Sequence, residues 1–107
     1  MFEVNLMGDK YKVNACKTKY LVDGSLAVVL TRKKENFADL TVNLGLKPTD
    51  KNCAFVDTNN NKWAETFLKT NKIATPTGRV ASSGFCLYPE YNFNLKKLKD
   101  LEDDMEL

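Results

Sequence analysis

The side chains able to do chemistry are few and scattered. The chain has no histidine, which excludes Ser–His and Cys–His nucleophiles, imidazole acid–base work and histidine metal sites. The carboxylates set within apolar or turn-rich stretches are Asp57, Glu65 and Glu90, and their spacing pairs no two of them. A hydrolase without histidine needs a carboxylate pair or a metal. Neither is indicated, so the sequence reads as a non-enzyme without a cofactor. The three cysteines, Cys16, Cys53 and Cys86, are odd in number and widely spaced among apolar neighbours. They read as small buried hydrophobes in a reducing, cytoplasmic protein.

Three clusters invite a functional reading. Asp57-Thr58-Asn59-Asn60-Asn61 begins like a calcium loop, but Lys62 stands where glycine is required and Leu68 where a bidentate glutamate is required. It reads instead as an Asn-rich turn into a helix. Thr77-Gly78-Arg79 with Ser82-Ser83-Gly84 offers amides, hydroxyls and a guanidinium that suit an anion. The same residues equally suit a turn followed by a closely packed strand. Tyr88, Tyr91 and Phe93, followed by Lys96, Lys97 and Lys99, put aromatic faces beside cations, the combination that holds single-stranded nucleic acid. The alternative is that the aromatics belong to the core and the lysines to the wet face of a helix.

A chain of 107 residues, 43% hydrophobic and 28% charged, has the length and composition of one globular domain. It contains no apolar run long enough for a membrane span, and its N-terminus lacks the pattern of a secretory signal. The net charge of +2 hides an asymmetry: residues 1–99 hold all 16 basic and nine of the 14 acidic side chains, and residues 100–107 hold the other five acids. A moderately basic body attracts phosphates. The acidic tail can cover and neutralise part of it, and its end is expected to fray.

The elements that position these residues are read from periodicity. Alternation predicts strands over 2–7 (Phe2, Val4 and Leu6 inward), 10–22, 26–30 and 38–44, and residues 53–57 read as a further short, largely buried strand. A shift of parity near Cys16–Lys17 predicts a bulge or break in the second. Asp23-Gly24 predicts a hairpin with a type I′ turn, and residues 32–35 an exposed connection. In the strand over 38–44, Leu40, Val42 and Leu44 face in, and Asp39, Thr41 and Asn43 face out. Trp63/Phe67 and Ala64/Leu68 give the following helix one apolar face, with an Asn as its N-cap. Residues 73–79 read as a tight loop and 80–88 as one strand, interrupted by Pro89. Asn94 caps a last helix with Leu95, Leu98, Leu101 and Met105 on one stripe. The expected fold is α+β: a single domain over 1–107, with a mostly antiparallel sheet of about five to six short strands, one packed helix and a C-terminal helix.

The blocks AFVDTNNNKWAETFL, PTGR and SGFCLYPEYNFNLKKL, preceded by LTVNL, resemble a bacterial family of domains of unknown function, numbered 4313. The resemblance spans about residues 38–99. It implies a small accessory protein of plasmids, conjugative elements or phages. The family has no established activity, so no functional residue is carried over. Two functions follow as expectations. The first is a non-enzymatic interaction protein that inhibits or modulates a host protein such as a defence effector. Trp63, Arg79, Tyr88 and Tyr91 are its candidate anchors, because Trp, Tyr and Arg dominate such contacts. The second is a nucleic-acid-binding accessory factor for maintenance or transfer. Monomer and homodimer by strand-edge pairing are both compatible with the sequence.

Overall fold

Alternating apolar side chains turn the N-terminal third into an antiparallel meander. In the computed structural model, which describes residues 1–105, β1 (Phe2–Leu6), β2 (Asp9–Lys19), β3 (Leu26–Arg32) and β4 (Glu35–Asp39) lie side by side in that order. A second sheet holds β5 (Thr41–Val42), β6 (Cys53–Val56), β8 (Cys86–Phe93) and β7 (Ala74–Ser83), in the order β5-β6-β8-β7. Helix α1 (Ala64–Thr70) joins β6 to β7. A 3-10 turn (Leu95–Lys97), β9 (Lys99–Asp100) and α2 (Leu101–Met105) close the described chain. The α+β class stands, with short strands divided between two sheets rather than one. Among the described residues no helix is long and apolar enough to cross a membrane.

One core joins the layers. Val4, Val13, Ala15, Val28 and Leu30 from the first sheet meet Ala54, Val56, Tyr91 and Phe93 from the second. Helix α1 packs on both sheets with the apolar face its spacing predicts. Its Phe67 ring stands edge-on to Phe2 (6.4 Å) and to Trp63 (5.9 Å), and Trp63 reaches Phe37 (6.3 Å). The helix has no side-chain N-cap. Asn61 instead turns its amide to the Asp39 carbonyl (2.7 Å).

The strand expected over 38–44 is broken, because the chain changes sheets there. Leu40 donates its N–H to Val28 O of the first sheet (3.0 Å), while its carbonyl accepts from Asp57 N at the end of β6 (2.9 Å). Thr41, expected to face out, is buried. Its hydroxyl accepts from Val28 N (3.0 Å) and meets Tyr20 Oη (2.9 Å), which satisfies it inside.

Turn chemistry departs from expectation at two hairpins. Asp23-Gly24 does not form a two-residue turn. The loop spans four residues, closed by Tyr20 N to Ser25 O (2.9 Å), and it leaves Leu21 and Val22 exposed. The two-residue turn with both central φ positive, the mark of type I′, falls on Lys33 (φ 53°) and Lys34 (φ 65°). There it joins β3 to a strand, β4, that periodicity did not separate.

The parity shift near Cys16 is not a bulge, and β2 runs unbroken through it. Both faces of β2 are covered at that point, so Ala15 and Cys16 are both buried. The cover is the C-terminal tail. Residues 94–105 do not form one helix. The Asn94 side chain caps the 3-10 turn as expected, by accepting from Lys96 N (3.2 Å), and β9 then pairs in parallel with β2 at Cys16 and Lys17. Asp104 on α2 is 8% exposed. Its carboxylate accepts from Thr31 Oγ1 (2.6 Å) and Asn14 Nδ2 (2.9 Å), with Lys99 Nζ at 3.7 Å. Lys17 Nζ lies 3.0 Å from Asp100. The tail therefore does cover part of the body, as an integral piece of the first sheet. Glu106 and Leu107, where the expected fraying would be greatest, lie outside the described residues.

Replacing Asp104 by Ala leaves the buried Thr31 hydroxyl and the half-buried Asn14 amide without their acceptor, at a cost of about 2 kcal/mol. Asp103→Ala, at an exposed neighbour, is expected to stay within about 0.5 kcal/mol of wild type. Urea unfolding of the two variants side by side measures the difference. Equal midpoints would show that the tail is not clamped through this carboxylate.

Candidate functional site

Two of the residues that could have cradled an anion, Thr77 and Arg79, do cradle one, and it is the protein's own; Ser82, Ser83 and Gly84 lie further along the hairpin and take no part. Glu90 on β8 is completely buried (0% exposed). Its Oε1 accepts from Thr77 Oγ1 (2.8 Å) and Thr49 Oγ1 (2.6 Å), and its Oε2 accepts from Thr49 N (2.8 Å). Arg79 Nη1 stands 3.5 Å from Oε2 and donates to Lys47 O (2.8 Å). The Arg79 guanidinium also lies over the Phe55 ring, 5.2 Å from its centroid. Burial by itself would raise the Glu90 pKa. The hydroxyl and amide donors of Thr49, the Thr77 hydroxyl and the Arg79 charge outweigh it and hold the carboxyl below the ordinary glutamate value.

Local backbone structure makes this convergence. Residues 73–79 are not a tight loop. Residues 77–79 bulge out of β7, where the register with β8 shifts between Pro76 and Val80. Gly78 supplies the positive φ of 92° that the bulge needs. The bulge lets Thr77 and Arg79 both reach Glu90. Pro89 does not interrupt β8 but sits within it, opposite Val80.

The other candidate groups are also engaged. Tyr91 is 6% exposed and donates its hydroxyl to Glu65 Oε1 (2.7 Å). Burial first, then the hydrogen bond to Glu65 and its charge, push the Tyr91 pKa well up. Phe93 is a core residue, so neither ring presents a face to bases. Lys97 donates to Asn71 O (3.1 Å). Asp57 accepts from Asn60 N (3.1 Å) and Asn60 Nδ2 (2.8 Å), which makes it the closing group of a turn. Burial pushes the Cys16 and Cys53 thiols up, so both remain protonated and inert. Asp57, Glu65 and Glu90 thus have separate partners and do not converge on a common point.

Of the four candidate anchors, Trp63 is half-buried in its aromatic cluster, Arg79 is held at the bulge, Tyr91 is inside, and Tyr88 alone stands on the outer part of the β7–β8 hairpin. The expected strand over 80–88 is in fact the two arms of that hairpin. They turn at Gly84-Phe85 between the paired Ser83 and Cys86. Gly84 takes a positive φ of 61° in this turn, and among the described residues no neighbour crowds the place a Cβ would take. The residues that sequence reasoning missed are here: Phe85 is 108% exposed, Leu87 66% and Val80 55%. Residues 80–89 (VASSGFCLYP) contain no charged side chain, and that run was the available signal. Elsewhere, a groove of about 1180 Å³ opens between the β2–β3 loop, residues 45–51 and the tail. Lys17, Lys19, Lys47 and Lys51 line it together with Asp100, Glu102 and Asp103, so it favours neither sign of ligand.

A family model described as a domain of unknown function (DUF4313) matches residues 16–106. No curated protein matches, and no solved structure does.

Glu90 gives the fold an acid-sensitive point. Its folded pKa lies below the ordinary value of 4.5, so the unfolded chain takes up the proton first as pH falls. The stability it contributes is fully present above about pH 4.5 and is lost below it, as pH falls through the folded value. Glu90→Gln loses an acceptor for the Thr49 donors, at about 2 kcal/mol, and should flatten this acid limb. Thermal melts of both proteins from neutral pH down to pH 3 read both effects. Parallel curves would exclude Glu90 as the titrating group.

Proposed function

The chain belongs to the DUF4313 family, and on that premise we propose that it is a non-enzymatic interaction protein of a bacterial mobile genetic element, plasmid or phage. It works in the cytoplasm by covering a surface of a host protein, such as a defence effector, and so inhibiting or tuning it. The observation that carries this reading is the β7–β8 hairpin. It projects the exposed Val80, Phe85 and Leu87 on a stretch free of charge. Exposed apolar and aromatic side chains grouped on one rigid element mark a contact surface for protein. The dispersal of Asp57, Glu65 and Glu90 into structural hydrogen bonds supports the non-enzymatic part. Of the expected anchors, Tyr88 lies on this hairpin, half-buried on the face opposite Val80 and Leu87, and Arg79 stands at its base. Nucleic-acid binding has weaker support, since Tyr91 and Phe93 are enclosed.

The test is capture of partners from lysate of a host that carries the element, after nuclease treatment. Tagged wild type, the double variant Phe85→Ser/Leu87→Ser and a control, Lys51→Ala, are compared. Wild type and control should retain one stoichiometric protein. The double variant should lose it by tenfold or more, about 1.4 kcal/mol, while melting as wild type does. Retention by all three proteins would move the contact surface elsewhere. Recovery of nucleic acid alone from samples spared nuclease would favour the other function.

A further inference from the structure

The same hairpin has an open edge. β7 is the terminal strand of its sheet, so among the described residues one side of its backbone has no strand beside it. A two-residue turn at Gly84-Phe85 makes Ser83 and Cys86 a hydrogen-bonded pair. Alternation along the ladder then makes Ala81 and Tyr88 the next bonded pair, and leaves Ser82–Leu87 and Val80–Pro89 as non-bonded pairs. Pro89 agrees with this assignment, because it has no N–H to give to β7. The N–H and C=O groups of Val80 and Ser82 therefore point outward, away from β8.

We propose that this edge is occupied by a second copy of the chain, paired antiparallel about a two-fold axis through Ala81. Val80 of each copy then lies opposite Ser82 of the other, and the outward groups of both are satisfied by main-chain hydrogen bonds. Three features select a second copy. Residues 80–89 carry no charge, so two copies meet without repulsion, and the charged side chains that ordinarily guard an edge are missing. The bulge at 77–79 ends the free edge on one side and the Gly84 turn ends it on the other. That length fits a closed, isologous pair and not an open array. Val80 and Ser82 face the same side as Leu87 and Pro89. Pairing therefore joins the exposed Val80 and Leu87 of both copies into one apolar strip across four strands. The inference deepens the proposed function and rests on its reading of the hairpin: the platform offered to a host protein is double.

Sedimentation of the full chain over a concentration series tests it. Ser82→Pro removes one outward N–H from each copy and leaves the β7–β8 ladder whole. Val80→Lys places added positive charge at the junction. Wild type should dimerise, and each variant should weaken the dimer on the order of tenfold or more, with the wild-type melting curve retained by Val80→Lys. A wild type that is monomeric throughout, or dimers that neither substitution weakens, would overturn the inference. A monomer that still captures a host protein through Phe85 and Leu87 would overturn the pairing and leave the function standing. A dimer that both variants dissolve, yet that captures no protein, would uphold the pairing and remove the function.

Discussion

A carboxylate removed from water must be surrounded by donors or give up its charge, and Glu90 meets that requirement by drawing three segments together. The loop over 45–52 comes across the second sheet because Thr49 supplies two of the hydrogen bonds. The strand β7 bulges because Thr77 and Arg79 both turn toward the same group. Phe55 is enclosed beneath the Arg79 guanidinium as a result. Part of the outer face of the second sheet, around Phe55, is thereby covered where an antiparallel sheet could have left it wet.

Asp104 does the corresponding work for the first sheet. Its carboxylate ties α2 to Asn14 on β2 and Thr31 on β3. The tail then shields Cys16, whose Sγ lies 3.7 Å from the Thr31 hydroxyl. A further carboxylate, Glu65, joins α1 to Tyr91. The acidic groups that could have formed a catalytic pair are thus distributed as separate fastenings between elements. Each of these three carboxylates is thereby satisfied where it stands.

Beyond these fastenings the β7–β8 hairpin extends past the core. The bulge separates its two parts. Below it, Tyr91 and Phe93 fill the core. Above it, the same alternation places Val80 and Leu87 in water. An apolar face that the fold does not use is available to a partner, and the charge-free composition of the arms suits contact with protein more than with phosphate.

Periodicity and composition alone determined the N-terminal strands, the apolar face of α1, the buried strand β6, the Asn94 cap and the exclusion of histidine chemistry. These depend on neighbours within a few residues, where strand alternation and helical spacing act directly. Contacts across the chain decided the rest. Thr41 is inside because Val28 and Tyr20, distant in sequence, satisfy its hydroxyl. The parity shift at Cys16 marks burial on both faces, which only the returning tail creates. Residues 94–105 divide into turn, strand and helix because β2 offers them an edge. The anion-binding character of Thr77 and Arg79 was present in the sequence, but the identity of their anion was not, since Glu90 reaches them only through the pairing of β7 with β8. Side-chain types along the chain set which groups need partners, and the tertiary structure alone assigns the partners, because the distances between such groups are set by packing.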